Sequence, residues 1–488
     1  MAPQAKRINL FIVTLNRLKK ISILSNMKKT TTLGLAAALC STLVACQKGE
    51  DQPVNVVLIL ADDLGYGDLG CYGQEIIKTP HLDQMAKEGL LFTQAYAGCP
   101  VSAPSRCCLL TGLNTAHSQI RGNEEIMPEG QKPMAEGTFT IARLMQEAGY
   151  ATGLFGKWGL GYPGSASVPN TMGFDEFYGY NCQRQAHTYY PDHLWHNQDS
   201  VSFPENAHNA KRTYSQDLIH QHALDFIRAN KDKPFFAMLT YTLPHAELNL
   251  PHDSIYRIYE NSFRETPYIG KFDHQRGGYN TSEKPYASFA AMVSRLDLYV
   301  GQILEELKKQ GLDRNTLVIF TSDNGPHAEG GANPDFFHSA GPLRGIKRDV
   351  YEGGIRVPFI AWMPGTVEEG KQSDLVCAFW DIMPTLADLT HTSLSAPTDG
   401  LSILPTLLGK KKKNQPQHDC LYWAFDEGIR REALRQGDWK LVRQTIDDIT
   451  RTELFDLSQD IGETKNLAKE KPGEVTTLIE KMDSIAGK

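Results

Sequence analysis

The sequence predicts an α/β fold: a large, mostly parallel sheet flanked by helices, with a smaller C-terminal α+β subdomain of antiparallel sheet plus helix. Three observations point there. Apolar runs of strand length recur along the chain, helical periods lie between them, and the character of the chain changes after Leu408.

The apolar runs are Val54–Leu60, Ala151–Phe155, Pro234–Thr240, Leu317–Phe320 and Val357–Trp362. Unbroken apolar runs without alternation are what strands buried on both faces require, hence the parallel sheet. Tyr214–Ala229 carries a helical period. Met292, Leu296, Val300, Ile303, Leu304 and Leu307 form the apolar stripe of another helix, closed by Gly311. Strand–helix alternation of this kind reads as a doubly wound domain over residues 53–408. Gly409, Lys410 to Lys413 and Asn-Gln-Pro-Gln then make a polar linker over 409–418, read as a solvated loop. Leu421–Phe425, Ala433–Arg443 and Glu453–Leu457 read as antiparallel strands, and Gly473–Ala486 as an amphipathic helix, giving a subdomain over 419–488.

At 488 residues, with 41% hydrophobic and 22% charged residues, the chain is ordinary for a globular protein of this size. A net charge of −7 does not forbid a local anion-binding pocket. No broad basic stretch is present, so nucleic acid is not an expected partner. Near the N-terminus, Met27-Lys28-Lys29 leads into the apolar run Leu33 to Leu39 and then Leu43-Val44-Ala45-Cys46. A basic region, a short apolar region and small residues describe a secretory signal. The last four residues resemble a bacterial lipobox, which implies acylation of Cys46 and a membrane anchor through that lipid. The expectation is an extension and signal over 1–46 with the true start at Met27. The protein is then an exported bacterial lipoprotein, periplasmic or at the cell surface. Of nine cysteines, Cys40 and Cys46 belong to this segment. The other seven are odd in number and show no CxxC spacing, so neither a zinc site nor a disulfide framework is expected.

Ligands of open α/β sheets bind outside the carboxyl ends of the strands. Four runs lead straight into chemically capable residues there. Val54–Leu60 leads to Asp62-Asp63, Ala151–Phe155 to Lys157, Pro234–Thr240 to His245, and Leu317–Phe320 to Asp323-Asn324. Any one junction is ordinary turn chemistry. Four together point to one convergent site. Asp62, Asp63, Asp323 and Asn324 offer only oxygen, which suits calcium or magnesium and disfavours zinc.

The run Ser102-Ala103-Pro104-Ser105-Arg106, with Leu110-Thr111-Gly112 beyond it, resembles the signature of the type I sulfatases, a family of the alkaline-phosphatase-like superfamily. Gly156-Lys157-Trp158, Gly173-Phe174-Asp175-Glu176-Phe177, Leu343-Arg344-Gly345-Ile346-Lys347, Trp439-Lys440-Leu441 and Leu454-Phe455-Asp456-Leu457 extend the likeness over about residues 53 to 470. The resemblance implies that Ser102 is oxidised after translation to formylglycine, the nucleophile. A serine at this position is similar to sites matured by anaerobic sulfatase-maturating enzymes of bacteria, an implied partner. It implies a metal, calcium rather than magnesium, on Asp62, Asp63, residue 102, Asp323 and Asn324. Arg106, Lys157 and Lys347 would grip sulfate, and His245 would protonate the leaving oxygen. A divalent cation with these three basic residues turns an acidic pocket into an anion-binding one.

One departure stands out. Many members read Gly-Lys-Trp-His, where that histidine helps expel sulfate, and here the position is Gly159. His117 and His187 are candidates to replace it, and Gln183, His187 and His117 are candidate substrate contacts. The implied activity is hydrolysis of O-sulfate from a sulfated carbohydrate, such as a galactose or N-acetylgalactosamine sulfate of host or dietary glycans. Two other readings stand beside it: a phosphoester or phosphonate hydrolase of the same superfamily, and a non-catalytic surface protein that binds glycans.

Overall fold

The computed structural model describes residues 53–270, 278–410 and 412–487. The expected signal and Cys46 lie outside the described residues. Among these, ten strands form the main sheet. They are β1 Asn55–Asp62, β2 Leu90–Phe92, β3 Ala151–Lys157, β4 Glu176–Tyr180, β5 His193–His196, β6 Asp199–Ser202, β7 Phe235–Pro244, β8 Thr316–Ser322, β9 Phe359–Trp362 and β10 Lys371–Ser373. Their order is β10-β2-β9-β8-β1-β7-β3-β4-β5-β6. The central five, β8-β1-β7-β3-β4, are all parallel, so their carboxyl ends open on one edge.

Alternate residues of β1 feed two cores. Val57, Ile59 and Ala61 pack with α1 (Pro80–Lys87), α4 (Ser215–Ala229) and α5 (Pro285–Gln310). Val56, Leu58 and Leu60 pack with α2 (Ser102–Thr111), α3 (Ile141–Glu147) and α6 (Ile382–Thr390). Both faces are therefore covered, which is why the strand reads as a continuous apolar run.

The run Val357–Trp362 behaves differently from the other four. Its strand starts at Phe359, after Pro358, which has no N–H to give to a ladder, and lies antiparallel between β8 and β2. The sheet is thus mixed, with a parallel centre.

Four antiparallel strands, β11 Leu421–Asp426, β12 Arg430–Gln436, β13 Trp439–Ile446 and β14 Ile449–Asp456, form the C-terminal sheet in chain order. The segment Ala433–Arg443, expected as one strand, is a hairpin: Gln436 pairs with Trp439 across the two-residue turn Gly437-Asp438. A continuous strand-like pattern hid the turn. One face of this sheet takes Leu478 and Met482 of α7 (Pro472–Ile485) onto Tyr422, Leu434, Leu441 and Leu454. The other face sets Trp423, Val442 and Phe455 against Tyr96, Ile355 and Trp380 of the large domain. Lys440 Nζ, fully buried in this seam, pairs with Glu352 Oε1 at 2.9 Å and Glu463 Oε1 at 3.1 Å. A buried charge survives only with such partners.

The seven described cysteines are all free, and Cys107 and Cys108 are buried within α2. Lys410 and Lys413 are exposed. No helix among the described residues is long and apolar enough to cross a membrane.

Candidate active site

The spacing Ser-x-x-x-Arg has a helical meaning. Ser102 is the first residue of α2, Pro104 falls in the first turn where a proline costs nothing, and Arg106 lies one turn on, above Ser102 on the same face. Ser102 Oγ donates to Asp62 Oδ1 at 2.9 Å, at the end of β1. Lys157 Nζ, at the end of β3, lies 2.5 Å from Asp62 Oδ2 and 3.5 Å from Ser102 Oγ. Arg106 donates through Nε to Asp323 Oδ2 at 3.0 Å and through Nη1 to the Lys157 carbonyl at 2.9 Å, while Nη2 forms an ion pair with Asp323 Oδ2 at 2.9 Å.

A second set joins from the other side. Asp63 takes φ +62°, a conformation aspartate tolerates better than most residues, and its N–H bonds Asp323 Oδ1 at 3.1 Å. Its carboxylate accepts from Asn324 Nδ2 at 2.7 Å and from Lys347 Nζ at 2.8 Å. Lys347 Nζ also lies 3.1 Å from His245 Nε2 and 3.1 Å from Glu329 Oε2. His245 Nδ1 bonds the Ala246 carbonyl, which leaves Nε2 as acceptor for Lys347. All four predicted strand ends, Ser102, Arg106 and Lys347 thus meet in one buried cluster.

The charges are strongly coupled. Burial works against the Asp62 carboxylate, yet Lys157, His245 and Arg106 outweigh it and hold the group well below the usual range. Burial, and then the Asp62 charge, push Asp323 up to about 6. Burial and Lys347 push His245 down to about 4, so its imidazole is neutral at neutral pH. Burial also opposes the Lys347 ammonium, but Asp63 and Glu329 prevail and raise it.

The residues fit a hard cation. Asp62, Asp63, Asp323 and Asn324 are fully buried oxygen donors, and Asn324 Oδ1 has no hydrogen-bond partner. Three buried carboxylates with an orphaned acceptor are an arrangement that a divalent ion would satisfy. His327 near Asp63 is not available as a further ligand. Its Nδ1 accepts from Glu329 N–H and its Nε2 faces the Pro244 carbonyl, both at 3.1 Å.

The other sequence candidates separate. His187 is half-buried, its ring stacks at 5.0 Å on that of His245, and its buried Nδ1 has no partner. Burial, then His245, Lys157 and Lys347, keep it well below its usual pKa. Gln183 is buried with Nε2 unpartnered. His117 is not brought in: its half-exposed ring pairs with Asp399 at 2.8 Å rather than with a residue of the cluster. Exposure and the pairing with Asp399, which also accepts from Asn114 N–H, give it a surface role.

Sequence reasoning missed Glu329, Tyr279 and Arg348. Tyr279 Oη donates to Glu329 Oε2 at 2.7 Å, and its ring lies 5.3 Å from that of His187. Arg348 Nη1 donates to Glu329 Oε1 at 2.6 Å. Glu329 and Tyr279 sit in loops, where no strand end or spacing marks them; Arg348 was legible only as the neighbour of Lys347.

Known proteins share this arrangement of sequence. The sulfatase family model matches residues 54–392, and a model described as N-sulphoglucosamine sulphohydrolase, C-terminal, matches 346–485. The N-acetylgalactosamine-6-sulfatase of Homo sapiens is 32% identical, over 84% of this chain and 78% of its own. The N-acetylgalactosamine-6-O-sulfatase of Bacteroides thetaiotaomicron is 30% identical, over 91% and 96%. The crystal structure of Ps i-CgsB in complex with k-i-k-neocarrahexaose superposes with TM-score 0.73 at 28% identity, covering 89% of this chain and 93% of that one. A phosphonate monoester hydrolase of Agrobacterium radiobacter, at 20% identity and TM-score 0.64 over 89% and 95%, shares the fold alone. With the family model spanning most of the described chain and the relatives covering nearly all of it, the protein belongs to the sulfatase family and is a sulfuric ester hydrolase.

Proposed function

We propose that the chain removes O-sulfate from a sulfated carbohydrate, with oxidised residue 102 as nucleophile and calcium as the bound cation. The observation that carries this reading is Ser102 Oγ, 2.9 Å from Asp62 and 3.5 Å from Lys157 Nζ, at the first residue of a buried helix. When present, the cation supplies positive charge toward sulfate oxygens and an aldehyde at residue 102 supplies a geminal hydroxyl. A plain serine sulfate lacks that exit, which gives the oxidation its chemical purpose. Asp62, Asp63, Asp323 and Asn324 would hold the ion.

The remaining chemistry belongs to the chain itself. Arg106 is locked by Asp323 and by the Lys157 carbonyl, so its charge needs no reorganisation. Lys157 pairs with Asp62 and Lys347 with Asp63, so each would present an ammonium group to an incoming anion. His245 Nε2, which accepts from Lys347 in this structure, would hand a proton to the leaving oxygen once a bound anion lets the imidazole protonate. A bound sulfate ester would oppose the depression of its pKa, because the anion offsets the Lys347 charge.

The names of the human and Bacteroides relatives, and the oligosaccharide bound to Ps i-CgsB, support a galactose- or N-acetylgalactosamine-type sulfate of a host or dietary glycan as substrate. The signal-like N-terminus supports export as a lipoprotein anchored through Cys46, and the serine at 102 supports maturation by an anaerobic sulfatase-maturating enzyme.

The test is to produce the chain with and without such a maturase. Matured protein should show the loss of two hydrogens on the peptide containing Ser102 and release sulfate from N-acetylgalactosamine-6-sulfate or galactose-6-sulfate. Equal activity from protein that keeps an unmodified Ser102 would overturn the reading.

A further inference from the structure

The rim beside the sulfate pocket contains an arginine whose charge is already engaged. Arg348 follows Lys347 directly and takes φ +75°, and the two basic side chains meet on opposite oxygens of Glu329. The Lys347 side chain is 5% exposed and that of Arg348 46%. The Arg348 N–H bonds the Pro100 carbonyl at 2.9 Å, which ties its backbone to the loop entering Ser102. Its Nη1 donates to Glu329 Oε1 at 2.6 Å, and its Nε faces Glu427 Oε2 at 3.6 Å.

Glu427 comes from the C-terminal sheet, in the turn between β11 and β12. Its other oxygen accepts from Asn123 N–H at 3.2 Å, and Asn123 Oδ1 in turn accepts from Ala103 N–H at 3.0 Å. A continuous polar arc therefore runs from Ala103 through Asn123, Glu427, Arg348 and Glu329 to Lys347, with both ends at the site. Nearby in sequence to Gln183, Arg184 is likewise paired with a glutamate, Glu125.

Arg106, Lys157 and Lys347 are also paired with carboxylates, but a cation held by Asp62, Asp63 and Asp323 would offset those charges, whereas among the described residues nothing further offsets Glu427 beside Arg348. Arg348 is flanked by two carboxylates, so another sulfate or carboxylate on the substrate ring would meet Glu427 as well as Arg348. Like-charge juxtaposition at a recognition surface is costly. A neutral ring suits the same pair, since each hydroxyl both donates, to a carboxylate, and accepts, from a guanidinium. We propose that Arg348 and Glu427 form a subsite for the leaving-group sugar that accepts an uncharged ring carrying one sulfate ester and rejects a ring with a second anionic group. The proposal rests on the sulfatase reading of the adjoining pocket.

The experiment uses matured full-length protein turning over 4-methylumbelliferyl sulfate, with N-acetylgalactosamine-6-sulfate and N-acetylgalactosamine-4,6-disulfate as competing ligands. The monosulfate should inhibit at a concentration lower by about tenfold or more. Glu427→Gln should narrow that ratio and Glu427→Lys should reverse it. Arg348→Ala should weaken the monosulfate by about tenfold. Residual aryl sulfate turnover shows that each variant is folded and matured. A wild type that binds the disulfate as well as the monosulfate, or a ratio unmoved in both Glu427 variants, overturns this proposal alone. Wild-type protein that is matured yet hydrolyses no sulfate ester overturns the sulfatase reading and this proposal with it.

Discussion

Gln183 occupies the space that a side chain at Gly159 would need: a Cβ built on Gly159 falls 2.2 Å from Gln183 Nε2. Gly159 also takes φ +74°, where an L side chain is strained. The histidine that many sulfatases carry at this position is thus replaced by a wall contact from the segment that also brings in His187. Gly159→His should therefore destabilise the protein, by about 1–3 kcal/mol from overpacking, and lower turnover. Gly159→His with Gln183→Ala should recover part of the loss. Thermal melts and kcat/KM of the single and double variants measure this; a single variant as stable as wild type would contradict it.

Lys347 links Asp63, His245 and Glu329 through one ammonium group. Lys347→Ala removes a charge aimed at the anion and leaves the buried Asp63 carboxylate without its cation. A loss of about a hundredfold or more in kcat/KM is expected. Lys347→Arg should not restore it, because the planar fork does not fit a compact three-way contact. Steady-state kinetics on matured protein decide.

Asn324 Oδ1 and the three aspartates predict binding of calcium with a stability readout independent of turnover. Calcium at about a hundred times its Kd should stabilise the wild type by about 2.7 kcal/mol. Asp323→Asn and Asn324→Ala should each diminish the shift in melting temperature, and magnesium should give less than calcium. No shift with either ion would exclude the assigned ligands.

At the seam between sheets, burial and the neighbouring Glu352 charge push Glu463 up to about 7, although Lys440 opposes the shift. Glu352 keeps its charge, held down to about 2 by Lys440, Arg356 and Arg435 against the effect of burial. A carboxyl raised on folding binds its proton more tightly in the native state. Its stabilising contribution is complete below about pH 4.5, its unfolded value, and is lost as pH rises through about 7. Glu463→Gln should therefore melt higher than wild type at pH 8, with the gap closing at pH 5. A pH-independent difference would show that Glu463 does not titrate there.

The three basic residues and the neutral His245 do not by themselves distinguish sulfate from phosphate. Family membership predicts that matured protein hydrolyses an aryl sulfate with a higher kcat/KM than the matching aryl phosphate. Parallel assays with the two 4-methylumbelliferyl esters settle the preference.

Much of this protein was written in local pattern. Buried parallel strands must be apolar throughout, so β1, β3, β7 and β8 were legible, and polar residues directly after them had to lie on the sheet's open edge. The helical spacing of Ser102 and Arg106 was equally local. The turn at Gly437-Asp438 and the antiparallel course of β9 were not, because pairing direction and a two-residue hairpin depend on partners distant in sequence. Loop residues were hidden for the same reason. Nothing in Glu329, Tyr279 or Glu427 marks them until the chain closes around Ser102, and His117 looks as capable as His187 until one is seen on Asp399 and the other on His245. Sequence by itself determined the fold class and the chemistry at the strand ends. Only the tertiary structure decided which loop residues face that chemistry, since a loop's destination is fixed by what it packs against rather than by its own periodicity.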